Sequence, residues 1–218
     1  MALRQMATVV RALLGERSAP YRVLMLGLHG SGKTSCVCRM RGEDNDGVVP
    51  TISFNVFEHV HCGARLQFWD VGGADAWVRP LVKHYFPNTR GVVLVVDSTD
   101  LQHMGVAEAS TERWDSTAAS MLRQLLAEPE LLDVPVLILA NKSDLSNAKC
   151  ADVRLRLGVD ALMGRTRRRW HITSSSAVTG EGLQGGLDWL VRQLEMTGDD
   201  SCSPGALLAP PEYLRPAS

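Results

Sequence analysis

The chain has 218 residues, 45% apolar and 22% charged, and its 23 Lys and Arg against 24 Asp and Glu leave a net charge of −1. That composition suits one sizeable core in one domain with tails, and nothing in the charge balance favours bulk nucleic-acid binding. Five cysteines, Cys36, Cys38, Cys62, Cys150 and Cys202, lack paired C-x-x-C spacing and fit a reducing compartment; no stretch approaches the roughly 18 apolar residues of a bilayer span, and no secretory leader is visible.

Residues 1–18 place Leu3, Met6, Val9, Val10, Leu13 and Leu14 on one side of a 3.6-residue helix, with Arg4, Gln5, Thr8 and Arg11 on the other. Such a helix either packs permanently on its own domain or lies in a membrane interface, so residues 2–14 are the candidate peripheral membrane contact. Residue 2 is Ala, and the glycine that N-myristoylation requires is missing. A strand over 22–27 then runs into Gly27-Leu28-His29-Gly30-Ser31-Gly32-Lys33-Thr34, the pattern G-x-x-x-x-G-K-[ST], with a helix predicted from Lys33. Glycines let such a backbone curl around an anion, its N–H groups and the helix N-terminus face phosphate, Lys33 bridges the β- and γ-phosphates, and the Thr34 hydroxyl ligates Mg²⁺. Alone the pattern says only nucleoside triphosphate.

Further on, Thr51 in Pro50-Thr51-Ile52-Ser53-Phe54-Asn55 is a candidate to complete the metal shell. Strands over 52–61 and 64–69 read as an antiparallel hairpin around Cys62-Gly63. His59, His61 and Cys62 alternate along it, and the pattern favours an ordinary strand and turn over a metal site. The second strand ends in Trp69-Asp70-Val71-Gly72-Gly73, where Asp70 can hold Mg²⁺ through water and Gly73 can offer its N–H to the γ-phosphate. A helix near 75–86, a strand over 91–97, a surface loop over 101–113 and a helix over 117–127 follow.

The apolar run over 134–140 ends in Asn141-Lys142-Ser143-Asp144, an N-K-x-D sequence. A carboxylate at Asp144 accepts two parallel hydrogen bonds from the N1–H and amine of guanine, a donor pair that adenine lacks. Read alone the segment is also an ordinary polar turn. A helix over 151–157, the basic run Arg165-Thr166-Arg167-Arg168-Arg169, read as a solvated loop, a strand over 169–173, the loop at Ser176-Ala177 and a helix over 183–196 complete the series. The tail over 198–218 is Gly-, Ser- and Pro-rich, reads as disordered, and ends without a prenylation cysteine. The whole predicts an α/β fold, a doubly wound, mostly parallel six-stranded sheet with helices on both faces, and nucleotide at the carboxyl ends of the strands.

In order and spacing, P-T-I-S-F-N-V, W-D-V-G-G, R-P-L-V-K-H-Y-F, Val95-Val96-Asp97-Ser98, A-N-K-S-D-L and G-L-D-W-L resemble the ADP-ribosylation factor (Arf) and Arf-like branch of the Ras superfamily over about 21–194. The resemblance implies a P-loop GTP-binding domain over 19–197, bound GTP or GDP with Mg²⁺, a monomer that recruits effectors in its GTP state, and a place in intracellular membrane traffic. It also implies an exchange factor, an activating protein, and a cytoplasmic, reversibly membrane-associated life with the N-terminal helix moving between domain and lipid. It assigns Phe54, Trp69 and Tyr85 to an aromatic trio presented to effectors; a core role for Trp69 stays equally open.

Three departures stand out. Ala74 occupies the position of the glutamine that orients the attacking water, so hydrolysis is expected to be slow. His29 stands where Arf proteins carry Asp, and 101–113 lengthens the segment before the third helix by about ten residues. Two other classes stay open: a GTP-locked scaffold that does not hydrolyse, and a P-loop nucleotide kinase, against which N-K-S-D argues.

Overall fold

Parallel strands in the centre of a sheet bury both faces, so their side chains read as continuous apolar runs and each alternate residue needs its own helix layer. The computed structural model describes residues 19–43, 54–72, 80–100, 102–105, 117–145, 150–164, 166 and 168–197, with the backbone alone for Phe54 and residues 80–82. Within them the order is β1 (Tyr21–Leu26), α1 (Lys33–Arg41), β2 (Phe54–His61), β3 (Ala64–Val71), a 3₁₀ segment (Pro80–Tyr85), β4 (Gly91–Asp97), α2 (Ala118–Ala127), a second 3₁₀ turn (Pro129–Leu131), β5 (Val136–Asn141), α3 (Cys150–Arg156), α4 (Val159–Met163), β6 (Trp170–Ser174) and α5 (Leu183–Thr197). One sheet holds all six strands in the order β2-β3-β1-β4-β5-β6. The β2–β3 pair is antiparallel and every other pairing is parallel.

The alternation is visible in two cores. Leu24, Val92, Leu94, Ile138 and Ala140 face a layer containing Leu122 and Leu125 of α2 and Val153 of α3. Their neighbours Val23, Val93, Val95, Leu137 and Leu139 face Val37 of α1 and Leu187 and Leu190 of α5. In α2, Thr117 caps the first turn by accepting from the Ser120 N–H, and the apolar stripe of Met121, Leu122, Leu125 and Leu126 is buried. α5 buries Leu183, Gly186, Leu187, Leu190, Val191 and Leu194 at three- and four-residue spacing.

Several expectations change. Of the helix expected near 75–86, residues 80–86 are described, and 80–85 form a 3₁₀ segment; Pro87 disfavours α-geometry in the residue before it, and the chain turns through Asn88 at φ 63°. A short helix, α4, follows α3 because Gly158, at φ 63°, breaks the first helix and starts the second. Strand β5 begins two residues later than expected, because Pro135 has no N–H and contributes only its carbonyl, to the Val92 N–H at 3.0 Å. In the expected surface loop over 101–113, Met104 is buried in the core. The amphipathic helix over 1–18 and the tail over 198–218 lie outside the described residues.

The basic run also needs correcting. Arg168 is only 7% exposed. Its guanidinium donates to the carbonyls of Leu125, Leu126 and Glu128 at 3.3, 2.9 and 3.4 Å, the open acceptors at the C-terminus of α2. Arg169 likewise donates to the carbonyls of Gln193 and Asp133, so these two arginines cap and staple helices rather than line a solvated loop. Arg168→Ala is expected to cost about 2 kcal/mol, the scale of hydrogen bonds to a charged group, measured by urea unfolding. A loss no larger than that of an exposed substitution, below about 0.5 kcal/mol, would remove the capping role.

Candidate functional site

Connections from β1 and β4 leave toward opposite edges of the sheet, and the crevice between their carboxyl ends is where an open α/β sheet receives a ligand. The 27–34 loop crosses that crevice. A Cβ on Gly27 would lie 2.3 Å from the Val95 carbonyl oxygen of β4, so the loop can pass only with glycine there. Gly30 and Gly32 adopt φ 73° and 90°, left-handed positions that turn successive N–H groups inward and lead directly into α1. The first N–H groups of α1 have no partner within the helix, so together with the loop they form a cradle for an anion.

Lys33 is buried, and its ammonium donates to the carbonyls of Gly27 and Leu28 at 2.9 and 3.0 Å, which stretches the side chain back along the inside of the loop. Burial pushes its pKa down, against the raising influence of Asp70 and Cys36. At the next residue, the second of α1, the Thr34 hydroxyl donates to Asp70 Oδ2 at 2.9 Å. Asp70 is fully buried at the end of β3, and its other oxygen, Oδ1, has no hydrogen-bond partner among the described residues. Burial raises its carboxyl pKa, opposed by the Thr34 hydrogen bond and by Lys33. A hydroxyl and a half-satisfied buried carboxylate are hard oxygen donors, the set a magnesium ion prefers. The residues therefore fit that ion.

The second half of the site is built on Asn141. This buried side chain donates from Nδ2 to the Ser31 carbonyl at 2.9 Å and accepts at Oδ1 from the Ala177 N–H at 3.1 Å. One amide thus ties the loop after β1 to the loop after β6. Its own backbone carbonyl accepts from the Ser98 N–H, and the Ser143 N–H donates to the Ser175 carbonyl. Ser176 is buried, and its Oγ accepts from the N–H groups of Val178 and Thr179, closing the loop on itself. Lys142 takes the left-handed conformation, φ 64°, and its ammonium lies 2.6 Å from Asp97 Oδ2. Burial pushes the Asp97 carboxyl up, but hydrogen bonds from Lys142 and Thr99 outweigh it and hold the group below the ordinary carboxylate range. Asp144 stands exposed beyond Lys142, its carboxylate available to a ligand edge.

The structure therefore brings together Gly27 to Thr34, Asp70, Asn141, Lys142, Ser176 and Ala177, with Asp144 at the rim. Thr51, Gly73 and Ala74 lie outside the described residues, and of Phe54 only the backbone is described. His29 is exposed on the loop. Trp69 and Tyr85 are buried, 5% and 6% exposed, with ring centroids 5.9 Å apart and the Arg22 guanidinium 3.9 Å from the Trp69 ring, so both pack the core rather than form an exposed aromatic surface. Asp97, to which no contiguous motif gives a role, ends β4, as the other site residues lie at or just beyond the carboxyl ends of β1, β3, β5 and β6.

A strand, glycine loop and helix holding a buried lysine, joined through Asn141 to N-K-S-D, is the nucleotide site of a P-loop small GTPase. The ADP-ribosylation factor family matches this sequence over residues 6–194, and the chain belongs to that family. It is similar to a solved structure described as the Arl6 BBS3 small GTPase from Trypanosoma brucei with bound nucleotide analogue GppNp. That likeness has 26% identity and a TM-score of 0.68, covering 82% of this chain and 99% of the other.

A Cβ at position 32 would lie 2.3 Å from Asn141 Nδ2, whereas one at position 30 meets nothing within 4 Å, and both positions are left-handed. Gly30→Ala is expected to cost about 1 kcal/mol of conformational strain, and Gly32→Ala about 3 kcal/mol because the Asn141 link must also yield. Equal losses in urea unfolding would mean that this link is not a constraint on the loop.

Proposed function

We propose that this chain is an Arf-like switch that binds GTP with Mg²⁺, recruits effectors in that state and acts in intracellular membrane traffic. What supports the reading is the Asn141 amide, which holds the phosphate loop, the N-K-S-D turn and the Ser176-Ala177 loop in one rigid array. In this reading residues 19–197 are the GTP-binding domain, 1–18 a helix contacting membrane peripherally through residues 2–14, and 198–218 a tail. Among the described residues no helix is long and apolar enough to cross a membrane.

The N–H groups of residues 28–34 receive the β-phosphate, and the Lys33 ammonium, already aligned along the loop, bridges to the γ-phosphate. Thr34, Asp70 and Thr51 hold Mg²⁺, which when bound neutralises charge on the phosphate oxygens. Asp144 reads the guanine edge, and the Ala177 N–H, fixed by Asn141, lies beside it. Lys142, held by Asp97, forms the wall of the base pocket. Gly73 offers its N–H to the γ-phosphate, and a GTP-driven shift of the β2–β3 hairpin presents a surface to effectors. The edge strand β2, with Val56 and Val60 exposed, is the apolar part of that surface. An exchange factor and an activating protein act on the same segments, and the chain works as a monomer in the cytoplasm and at membranes.

Hydrolysis is slow in this reading. Attack on the γ-phosphorus needs a water held in line, and the methyl group of Ala74 has neither donor nor acceptor to hold it. A non-hydrolysing, GTP-locked form is the limiting case favoured by the same residue, and the nucleotide released on denaturing freshly purified protein separates the two: GDP for slow turnover, GTP for the locked form.

Asp144→Asn is expected to weaken GTP binding by about 10- to 100-fold, the value of a bidentate pair, and to raise affinity for xanthosine triphosphate. Nucleotide titration showing an unchanged preference for GTP would sink the base assignment. Ala74→Gln is expected to speed single-turnover GTP hydrolysis about tenfold, equivalent to about 1.4 kcal/mol of barrier. The stretch from Ala74 to Pro80 is one residue longer than the resemblance implies and can misaim the new side chain, so if neither this variant nor the same change with Ala76 deleted outruns the wild type, the impaired-site reading is wrong.

A further inference from the structure

We propose that His61, Cys62 and Asp188 form a transition-metal site, suited to Zn²⁺, that joins the tip of the β2–β3 hairpin to α5. His61 ends β2, Cys62 begins the turn, and Asp188 lies in α5, more than 120 residues away in sequence. His61 Nε2 lies 2.7 Å from Asp188 Oδ1, and Cys62 Sγ donates to that same oxygen at 3.3 Å. One ligand atom from each residue lies within 4.8 Å of the other two.

Backbone geometry produces this convergence. Successive residues of a strand point to opposite faces, which would separate His61 from Cys62. Cys62 instead takes a left-handed turn conformation, φ 50°, and its thiol reaches the carboxylate that the His61 ring also meets. The imidazole is held in place: His61 is only 8% exposed, and the His59 ring stacks beside it at a centroid distance of 6.0 Å. Cys62 and Asp188 are open to solvent, the latter with 41% of its side chain exposed, so an ion can enter and the carboxylate can adjust.

Imidazole nitrogen, thiolate and carboxylate together select a borderline ion such as Zn²⁺ over Mg²⁺ or Ca²⁺, which prefer oxygen alone. Zn–N and Zn–O bonds of about 2.0 Å and a Zn–S bond of about 2.3 Å place tetrahedral ligand atoms roughly 3.5 Å apart. The half-exposed Asp188 side chain therefore has to withdraw from His61 by less than about 1 Å. Binding replaces two hydrogen bonds by three metal–ligand bonds. The thiol proton of Cys62 passes to solvent, and the neutral His61 ring carries its proton on Nδ1 so that Nε2 is the donor atom. A water fills the fourth position on the exposed side. Nothing is oxidised or reduced.

The site is independent of the nucleotide loops, which lie at the opposite, carboxyl ends of the parallel strands. Its test uses the full chain, stripped with a chelator and kept reduced. Titration with Zn²⁺ against a chromogenic chelator is expected to show a site whose affinity falls about tenfold or more in Cys62→Ser and in Asp188→Asn, both substitutions at exposed positions. Co²⁺ in place of Zn²⁺ is expected to give tetrahedral visible bands and a thiolate charge-transfer band, the latter lost in Cys62→Ser. Added Zn²⁺ raises the unfolding temperature of the wild type and leaves these two variants unmoved. The proposal is overturned by no Zn²⁺ binding above that of the double variant, or by a cobalt–thiolate band that survives Cys62→Ser, which would place the ion on another cysteine.

Discussion

The nucleotide site depends on one buried amide. Asn141 has a donor and an acceptor, and each is committed to a backbone group of a different loop: the Ser31 carbonyl and the Ala177 N–H. Left unpaired in the interior, either group would cost about 1–3 kcal/mol, so the two loops are held at a separation set by the width of an amide. Gly32 follows from the same constraint, because the amide occupies the space where a Cβ would be. The phosphate loop, the base loop and the loop after β6 are thus one mechanical unit, though the first lies 110 residues from Asn141 and the last 36.

A second constraint is the charge buried under that loop. Lys33 and Asp70 are both withdrawn from water, and burial acts on them in opposite directions, lowering the lysine pKa and raising that of the aspartate. Neither is satisfied as an isolated ion: Lys33 is held by two carbonyls and Asp70 by one hydroxyl, with an oxygen left over. Incomplete satisfaction of buried polar groups is costly to the empty protein and is typical of sites whose ligand completes the network. In the proposed function, the bound nucleotide and its cation supply what the side chains lack. Buried Cys36 beside them has its thiol pushed up to about 12 and stays a neutral packing group.

Away from the site, arginines do structural work that their charge alone does not suggest. Arg168 ends α2 by satisfying its carbonyls, and Arg169 ties β6 to α5, so the helical layers on the two faces of the sheet are fastened by side chains that enter from one short segment. Arg22 lies over Trp69, whose ring meets Tyr85. That packing buries both aromatics and leaves the apolar exposure of the hairpin to Val56 and Val60 of its edge strand.

The amino-acid sequence by itself determined the sheet, its parallel character and the loops that form the site, because these rest on local rules. Short apolar runs such as Val92–Val96 and Val136–Ala140 read as strands covered on both faces, and G-x-x-x-x-G-K-[ST] and N-K-x-D are contiguous patterns whose chemistry needs fixed short spacing. What only the tertiary structure decided are pairings between distant residues. Arg168 with the end of α2, Lys142 with Asp97, Trp69 in the core and His61 and Cys62 with Asp188 have no local signature, since each is set by which elements the sheet order makes neighbours. The same holds where geometry overrides pattern. His61 and Cys62 are successive residues, which a strand would point to opposite faces, and a single left-handed residue at the turn brings them onto one carboxylate.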